Sequence, residues 1–371
     1  RWAKETEYYR KKGQKLFKDF LIDTPYMNKY DVQNSQDEMI VGRYQNTYRN
    51  QLLKIRTSGS TGKIVEILWN KDDYIASNLC LWRLRKQYYN IKNSDFYLTF
   101  HSTVYNGTQV RETRELEMIH HRTYLSINKF SFSPTNFERY IKEISNYPIK
   151  WIFTQPSMLL ILVKMMQDYN IKPQEMFPKL KYIELNGEIL FKSDHELFRK
   201  FFNVPVANLY GASEVNGIAY QCPNGHLHII EKNVAVQLFN YHKLDDHLYE
   251  GEIAISSFHN KAMPIISYAI GDKVIVNTNI ECEYSSSPVI NITIGRTNDR
   301  IHLSQNVSVS SYELSYWIER VNTQIGNPIL EYKIKHKNQK SIIYLYIKYD
   351  FRGWEKVIIS KLQEQVKALY D

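Results

Sequence analysis

The chain has 371 residues, 43% of them hydrophobic, and its 48 Lys and Arg against 39 Asp and Glu give a formal net charge of +9. That length suits one large domain with a smaller attachment, or two to three lobes, and the apolar fraction supports a sizeable core. No apolar stretch reaches the ~18–20 residues that a membrane span needs. The basic surplus suits polyanionic small molecules, and no zinc-finger, ribonucleoprotein or helix-turn-helix signature points to nucleic acid.

Residues 1–18 form a charged, aromatic helical pattern without the apolar region of a signal peptide. The chain opens at Arg1 with no initiator Met, so a longer polypeptide is expected. Three cysteines, Cys80, Cys222 and Cys282, leave one unpaired in any single-disulfide scheme, and a reduced cytoplasm is the expected compartment. The 29 tyrosines are spread along the chain and mark no one site.

In chain order, the first fifty residues read as mostly helical. A short apolar strand then runs into Thr57-Ser58-Gly59-Ser60-Thr61-Gly62, where glycines and hydroxyls are too dense for a regular element. Asp72 or Asp73 is placed to cap a helix reaching Tyr89. From residue 134 the pattern alternates: helix 134–147, strand 151–154, helix 156–169 with Pro156 in its first turn, strand 182–185, helix 193–202, strand 206–209. Segment 158–166 is the most apolar of all; it carries Lys164 and reads as a buried helix. Strands alternating with helices predict a mainly parallel sheet covered on both faces, with function at the loops beyond the strand ends. Those loops hold Asn186-Gly187-Glu188 and Tyr210-Gly211-Ala212-Ser213-Glu214. Strands follow at 235–239, 252–256, 273–276 and 289–294, then a hinge at 295–299. The tail reads as helix 311–322, strands 330–336 and 342–349, and helix 354–370. The fold class is thus α/β: a large N-terminal domain with mainly parallel sheets and a strand-rich subdomain, over 1–297, then a small α+β lobe over 298–371.

Four constellations carry chemistry, each with an ordinary loop as its bland alternative. The amides, hydroxyls and Lys63 of Ser58-Gly59-Ser60-Thr61-Gly62-Lys63 can face phosphate oxygens, although the spacing is not that of a Walker loop. Tyr210 beside Gly211 can stack a base, and Glu214 can hold a hard cation such as Mg²⁺. Asp272, following Gly271, can accept both hydroxyls of a ribose. Arg296 is a phosphate-binding candidate in a polar hinge that also contains Asn298 and Asp299. A fifth group, Cys222, His226, His228 and Cys282, has ligands that suit a structural zinc, against the alternative of two buried thiols and ordinary loop histidines.

The order of these motifs resembles the adenylate-forming ligases, which carry Ser/Thr-Ser-Gly-Ser/Thr-Thr-Gly-Lys, a Gly-Glu turn, Tyr-Gly-x-Ser/Thr-Glu, Gly-Asp and Gly-Arg-x-Asp-Asp. In detail the sequence is similar to the phenylacetate–CoA ligase and CapK-like branch. That branch has a Pro-Ser-x-Leu helix, as in Pro156-Ser157-Met158-Leu159, and a Cys followed by Gly-x-x-His, as in Cys222 and Gly225-His226-Leu227-His228. The likeness covers roughly residues 50 to 320.

The resemblance implies ATP, Mg²⁺, a small carboxylic acid, and a thiol (coenzyme A or a carrier) or an amine as acyl acceptor. It implies that 58–63 hold the β- and γ-phosphates, that Asn186, Gly187 and Glu188 border the adenine opposite Tyr210, and that Ser213 meets the α-phosphate. Glu214 would hold Mg²⁺, and Asp272 the ribose with help from Arg296; Glu214, Lys63 and Arg296 are the expected catalytic set.

Two departures stand out. Asn298 occupies the family's usual hinge Asp, and the family's C-terminal Gly-Lys has no match, since the only Gly-Lys is Gly62-Lys63. The lobe is therefore expected to be incomplete as given, or adenylate formation to be poor. Rival readings are an amide-forming ligase of surface-polysaccharide or secondary-metabolite biosynthesis, an acyl-protein synthetase, and a non-catalytic nucleotide-binding scaffold. Aromatics between Phe96 and Tyr124, with His101, Tyr105 and His120, are left unassigned between acid pocket and core.

Overall fold

The computed structural model describes residues 2–12, 19–45, 51–56, 65–101, 118–128, 132, 136–294, 300–302, 308–326, 328–337, 340–347 and 349–367. The described part of the first fifty residues is mostly helical, as expected, but in short pieces. It holds short helices, α1 (Glu7–Lys12), α2 (Lys29–Asn34) and α3 (Gln36–Met39), with a single 3-10 turn before them at Trp2–Glu5 and another after them at Gly42–Tyr44. Their buried residues, among them Tyr8, Tyr9, Met27, Val32 and Met39, join the core beside the strand-rich half of the molecule. These short pieces are held by that packing, since helices this short have little stability of their own. Asn28 accepts from the amides of Tyr30 and Asp31 while Asp31 accepts from the Asn28 amide, a capping box that starts α2.

Strands β1 (Leu53–Arg56) and β2 (Glu66–Trp69) pair antiparallel on either side of 57–64, which lies outside the described residues. Helix α4 (Lys71–Tyr89) follows. Its cap is Asn70, not Asp72 or Asp73: the Asn70 side chain accepts from the Asp72 amide at 2.9 Å. Asp73 instead turns inward and pairs with Lys261 at 2.9 Å.

The centre of the molecule is one twelve-stranded sheet. Its first members are β3 (Tyr97–His101), β4 (Met118–His120) and β5 (Tyr124–Asn128), followed by helix α5 (Phe137–Ser145) and β6 (Trp151–Thr154). Helices α6 (Pro156–Asp168) and α7 (Pro173–Met176) lead to β7 (Tyr182–Asn186), and α8 (Lys192–Phe202) leads to β8 (Val206–Ala212). The strand-rich half adds β9 (Asn216–Gln221), β10 (Leu227–Ile229), β11 (Val234–Asp245), β12 (Leu248–Ser257), β13 (Tyr268–Asn277) and β14 (Val289–Ile294). The strand order is β11-β12-β13-β14-β10-β9-β8-β7-β6-β3-β5-β4.

Strands β8, β7, β6, β3 and β5 run parallel, as the helix–strand alternation implied. From β8 to β9 the pairing turns antiparallel, and the strand-rich half continues the same sheet. The parallel strands β6 and β7 are buried along nearly their whole length, which explains their continuous apolar runs. Strand β8 runs on through Tyr210, Gly211 and Ala212, so three residues of the expected Tyr210–Glu214 loop are strand and the other two lie in a hairpin turn. A Cβ on Gly211 would lie 2.5 Å from the Asn216 carbonyl oxygen, so the hairpin closes this tightly only with glycine there.

The tail holds β15 (Arg300–His302), β16 (Ser308–Ser310), α9 (Ser311–Ile325), β17 (Ile329–Lys337), β18 (Lys340–Ile347) and α10 (Glu355–Lys367). Leu314, Trp317, Val321, Ile329 and Ile358 make its own small core. On β18 the apolar run resolves into alternation: Ile343 and Leu345 pack on that core while Ile342, Tyr344 and Tyr346 are exposed. No helix among the described residues is long and apolar enough to cross a membrane.

Candidate active site

The sheet's change from parallel to antiparallel creates the kind of crevice in which open α/β sheets bind ligands. A cavity of about 1110 Å³ opens there, and its lining includes Asn186 and Gly187 after β7, Gly211, Ser213 and Glu214 at the end of β8, and Gly271 and Asp272 on β13. Residues from three separate sequence motifs thus face one space. Gly187 and Gly271 have φ values of +76° and +89°, the left-handed backbone that favours glycine.

Glu214 is 8% exposed on a three-residue turn. That turn is held from beneath by a network absent from the sequence reading. The Asn233 carboxamide donates to the carbonyls of Val215 at 2.8 Å and Gly217 at 2.6 Å. The Ser77 hydroxyl on α4 donates to Asn233 Oδ1 at 2.7 Å and accepts from Asn216 Nδ2 at 3.0 Å. Both Ser77 and Asn233 are buried. Nothing in the local sequence marks Asn233; its role comes from two strands meeting α4.

Asp272 accepts from the Tyr210 hydroxyl at 2.6 Å, which ties β8 to β13. Tyr210 itself is not among the lining residues, while its neighbours Leu209 and Gly211 are. Glu188 is likewise not a lining residue: it accepts from the Ser157 amide at 3.0 Å and hydroxyl at 2.8 Å and so satisfies the start of α6. Residues 58–63, with Lys63, and also Arg296 and Asn298 lie outside the described residues.

Part of the cavity lining was not assigned from sequence. Trp82, Tyr97, Trp151 and Phe153 belong to it together with Arg85. Arg85 is 6% exposed and Glu184 0%. The guanidinium donates through Nε to Glu184 Oε2 at 2.8 Å and through one terminal nitrogen to Oε1 at 2.5 Å. Tyr220 and Tyr182 also donate to Oε2, at 2.8 and 3.2 Å. Burial works against the charge on Arg85, but Glu184 beside it carries its pKa above the ordinary value. Burial likewise raises the Tyr182 and Tyr220 hydroxyls, which stay protonated donors. The legible signal was Glu184 itself, a lone carboxylate inside an apolar strand. Pro25, Asn28 and Lys29 from the N-terminal segment also line the cavity. Neither His101 nor His120 lines it: His101 bonds Ser126 at 2.8 Å, and His120 bonds the Tyr147 hydroxyl at 2.6 Å. Tyr105 lies outside the described residues.

The four expected metal ligands do converge. Ligand atoms of Cys222, His226, His228 and Cys282 all lie within 4.8 Å of one another, with the two sulfurs 3.8 Å apart. The amide of Cys222 bonds the His226 carbonyl, closing the turn between β9 and β10, and Cys282 comes from the loop before β14. His228 donates through Nδ1 to the Ser287 carbonyl at 2.7 Å, leaving Nε2 with a lone pair. That Nε2 and His226 Nδ1 are buried and have no hydrogen-bond partner among the described residues. Two orphaned imidazole nitrogens facing two thiols are what a tetrahedral zinc site requires.

No family model matches the chain. Protein CapK of Staphylococcus aureus is 24% identical over 366 residues, covering 96% of this chain and 75% of that protein. Among solved structures, a 2-hydroxyisobutyryl-CoA ligase in the postadenylation state superposes with a TM-score of 0.70 at 12% identity, over 99% of this chain and 80% of its own. An ATP-bound RpMatB–BxBclM chimera gives a TM-score of 0.55 at 14% identity, over 84% of this chain and 61% of its own. The chain has the fold of the adenylate-forming ligases, and its sequence similarity lies with CapK, as the motif order indicated.

Replacing Asn233 with alanine removes its donors to the carbonyls of Val215 and Gly217, leaving Val215 the Ser77 hydroxyl at 3.2 Å, and is expected to cost about 1–3 kcal/mol in urea unfolding. An unchanged midpoint would mean that the network does not hold the Glu214 turn.

Proposed function

We propose that this protein is an ATP-dependent, carboxylate-activating ligase. It joins an acid to AMP with release of pyrophosphate, then passes the acyl group to coenzyme A, a carrier thiol or an amine. The observation that carries the reading is the convergence of Asn186, Gly187, Ser213, Glu214 and Asp272 on one cavity in the adenylate-forming fold.

In the first half-reaction a carboxylate oxygen of the acid attacks the α-phosphorus. The new P–O bond forms as the bond to pyrophosphate breaks, and the acid needs no general base because it is already ionised. The difficulty is the approach of two anions, so positioning and positive charge carry the catalysis. Asp272 accepts the ribose hydroxyls in place of, or beside, the Tyr210 hydroxyl. Ser213 donates toward the α-phosphate. Asn186 and Gly187 flank the base, with Tyr210 fixing the strand between them and Asp272. The buried carboxylate of Glu214 suits Mg²⁺, which when bound supplies charge neutralisation at the phosphates. Lys63 and Arg296 belong to the same proposal as phosphate donors. So do the division into 1–297 and 298–371 with a hinge at Asn298, and a cytoplasmic setting, which the free thiols of Cys80, Cys222 and Cys282 suit.

A 2-hydroxyisobutyryl-CoA ligase among the structural neighbours favours coenzyme A as acceptor, and the similarity to CapK favours a role in surface polysaccharide. We also propose zinc as a structural ion held by Cys222, His226, His228 and Cys282. It would bind the β9–β10 turn to the loop before β14, away from the reacting groups.

Pyrophosphate exchange into ATP, driven by a panel of aryl and aliphatic acids, tests the reaction directly. Exchange with at least one acid is expected, and Asp272→Ala should weaken ATP by about 1.5–3 kcal/mol in calorimetric titration, the range for a hydrogen bond to a charged group. No exchange with any acid would favour the scaffold reading, and equal ATP affinity in the variant would remove Asp272 from the ribose site.

Desalted protein, purified without added metal, should hold close to one zinc per chain by elemental analysis. Cys282→Ser should lose most of it and lower the melting temperature. Less than about a tenth of an equivalent in the wild type would return these residues to buried thiols and loop histidines.

A further inference from the structure

The Cys222–Cys282 pair has chemistry of its own beyond holding a metal. We infer that the pair is a redox modification site: hydrogen peroxide closes it to a disulfide, and that disulfide and a zinc ion on Cys222, His226, His228 and Cys282 exclude one another. The second half of the inference rests on the zinc reading above.

The two sulfurs are 3.8 Å apart. A disulfide bond is about 2.05 Å long, so closure asks for a movement of about 2 Å. The fold puts that movement on one side. Cys222 is 1% exposed and fixed, its amide bonded to the His226 carbonyl and its carbonyl to the Gly225 amide, both at 2.9 Å. Cys282 is half-buried and lies between β13 and β14, in 278–288, where no helix or strand holds the backbone. Its thiol is therefore the one that a small oxidant reaches and the one that moves. Asn224 donates to Glu283 at 3.2 Å and the Tyr88 hydroxyl to the Tyr284 carbonyl at 3.3 Å, which keeps this loop beside the β9–β10 turn. The third thiol sits elsewhere: Cys80 Sγ, on α4, lies 3.6 Å from the Lys232 carbonyl oxygen and 3.6 Å from His259 Nε2.

The reaction balances with peroxide as the oxidant. The Cys282 sulfur attacks one peroxide oxygen, the O–O bond breaks, and the other oxygen leaves as water with the thiol proton, giving a sulfenic acid. The Cys222 sulfur attacks the sulfenic sulfur. The S–S bond forms, the S–O bond breaks, and the hydroxyl leaves as water with the Cys222 proton. Two thiols lose two electrons, and both peroxide oxygens end as water. From zinc-bound thiolates the same two steps take two protons from solvent and release Zn²⁺. The neighbouring Cys222 favours the disulfide over further oxidation of Cys282, because the resolving sulfur is already beside it.

Exclusion follows from the ligand count. The thiolate is the metal ligand, and a disulfide has none to give, so closure removes two ligands of four at once. The nitrogens that remain, His226 Nδ1 and His228 Nε2, do not complete a tetrahedral structural site by themselves.

The test loads the whole protein with equimolar zinc chloride, desalts it and adds a small excess of hydrogen peroxide. Zinc release is followed with a chromophoric chelator, and the thiols are mapped by non-reducing peptide mass spectrometry. The expected result is one zinc released for each disulfide formed, with the crosslink between the peptides of Cys222 and Cys282. Dithiothreitol with fresh zinc chloride should restore zinc binding. Cys80→Ser should behave as wild type, and Cys282→Ser, checked for folding by circular dichroism, should form no crosslink. If that variant does not fold, the wild-type map decides. Zinc retained after the disulfide has formed, a crosslink through Cys80, or Cys282 carried to sulfinic acid without a crosslink would each overturn the inference. Zinc that stays bound while both thiols stay reduced would reject the redox site and leave the zinc reading standing. A protein that keeps no zinc after loading would reject that reading and the exclusion with it, and crosslinking in the same sample would then decide the redox site alone.

Discussion

The candidate site depends on the hairpin that reverses the sheet. Where β8 turns into β9, the turn carrying Glu214 lies at the cavity, and its backbone is partly sealed from water. The Asn233 carboxamide bridges Val215 and Gly217, and Ser77 locks that carboxamide to α4. Gly211 lets the two strands approach to a distance that no side chain would tolerate. With the turn fixed in this way, Ser213, Glu214 and Asp272 line one cavity, and the Tyr210–Asp272 bond ties their strands together. In the proposed reaction such rigidity has a function, because donors already aimed at the phosphates need no reorganisation when charge moves.

The buried Arg85–Glu184 pair needs a different rationale. Enclosing Arg85 and Glu184 costs solvation that a hydrophobic pair would not, and a buried salt bridge is weak evidence for stability. The structure limits the cost by adding two tyrosine hydroxyls and two indole faces to the pair. The pair joins α4 to the middle of the parallel strands that present Asn186.

The sequence made the parallel half of the fold legible because its strands are buried on both sides and read as short apolar runs between amphipathic helices. Strand β6 falls where the pattern placed it, and Pro156 opens α6. The N-terminal fifty residues read as mostly helical and their described part is, but in short pieces whose buried tyrosines pack beside the strand-rich half, a break-up that no local pattern marks. Asp272, Gly187 and the Cys/His group were legible because glycine turns and soft ligands are locally distinctive. Asn233, Ser77 and Arg85 were not: each acts through a partner more than 90 residues away or through an element packed from the side, which no local pattern encodes. Glu188 shows the converse, since its Gly-Glu motif faces the cavity through the glycine while the carboxylate serves the start of α6.

The central claim is that the acid attacks the α-phosphorus of ATP, and isotope transfer reads that bond directly. An acid that supports turnover, labelled with ¹⁸O in its carboxylate, is incubated with ATP, Mg²⁺ and an acyl acceptor, and the products are weighed by mass spectrometry. Attack at the α-phosphorus places one labelled oxygen in AMP and none in pyrophosphate. Label in inorganic phosphate, with unlabelled adenine nucleotide, would mean attack at the γ-phosphorus and an acyl phosphate, and would contradict the account.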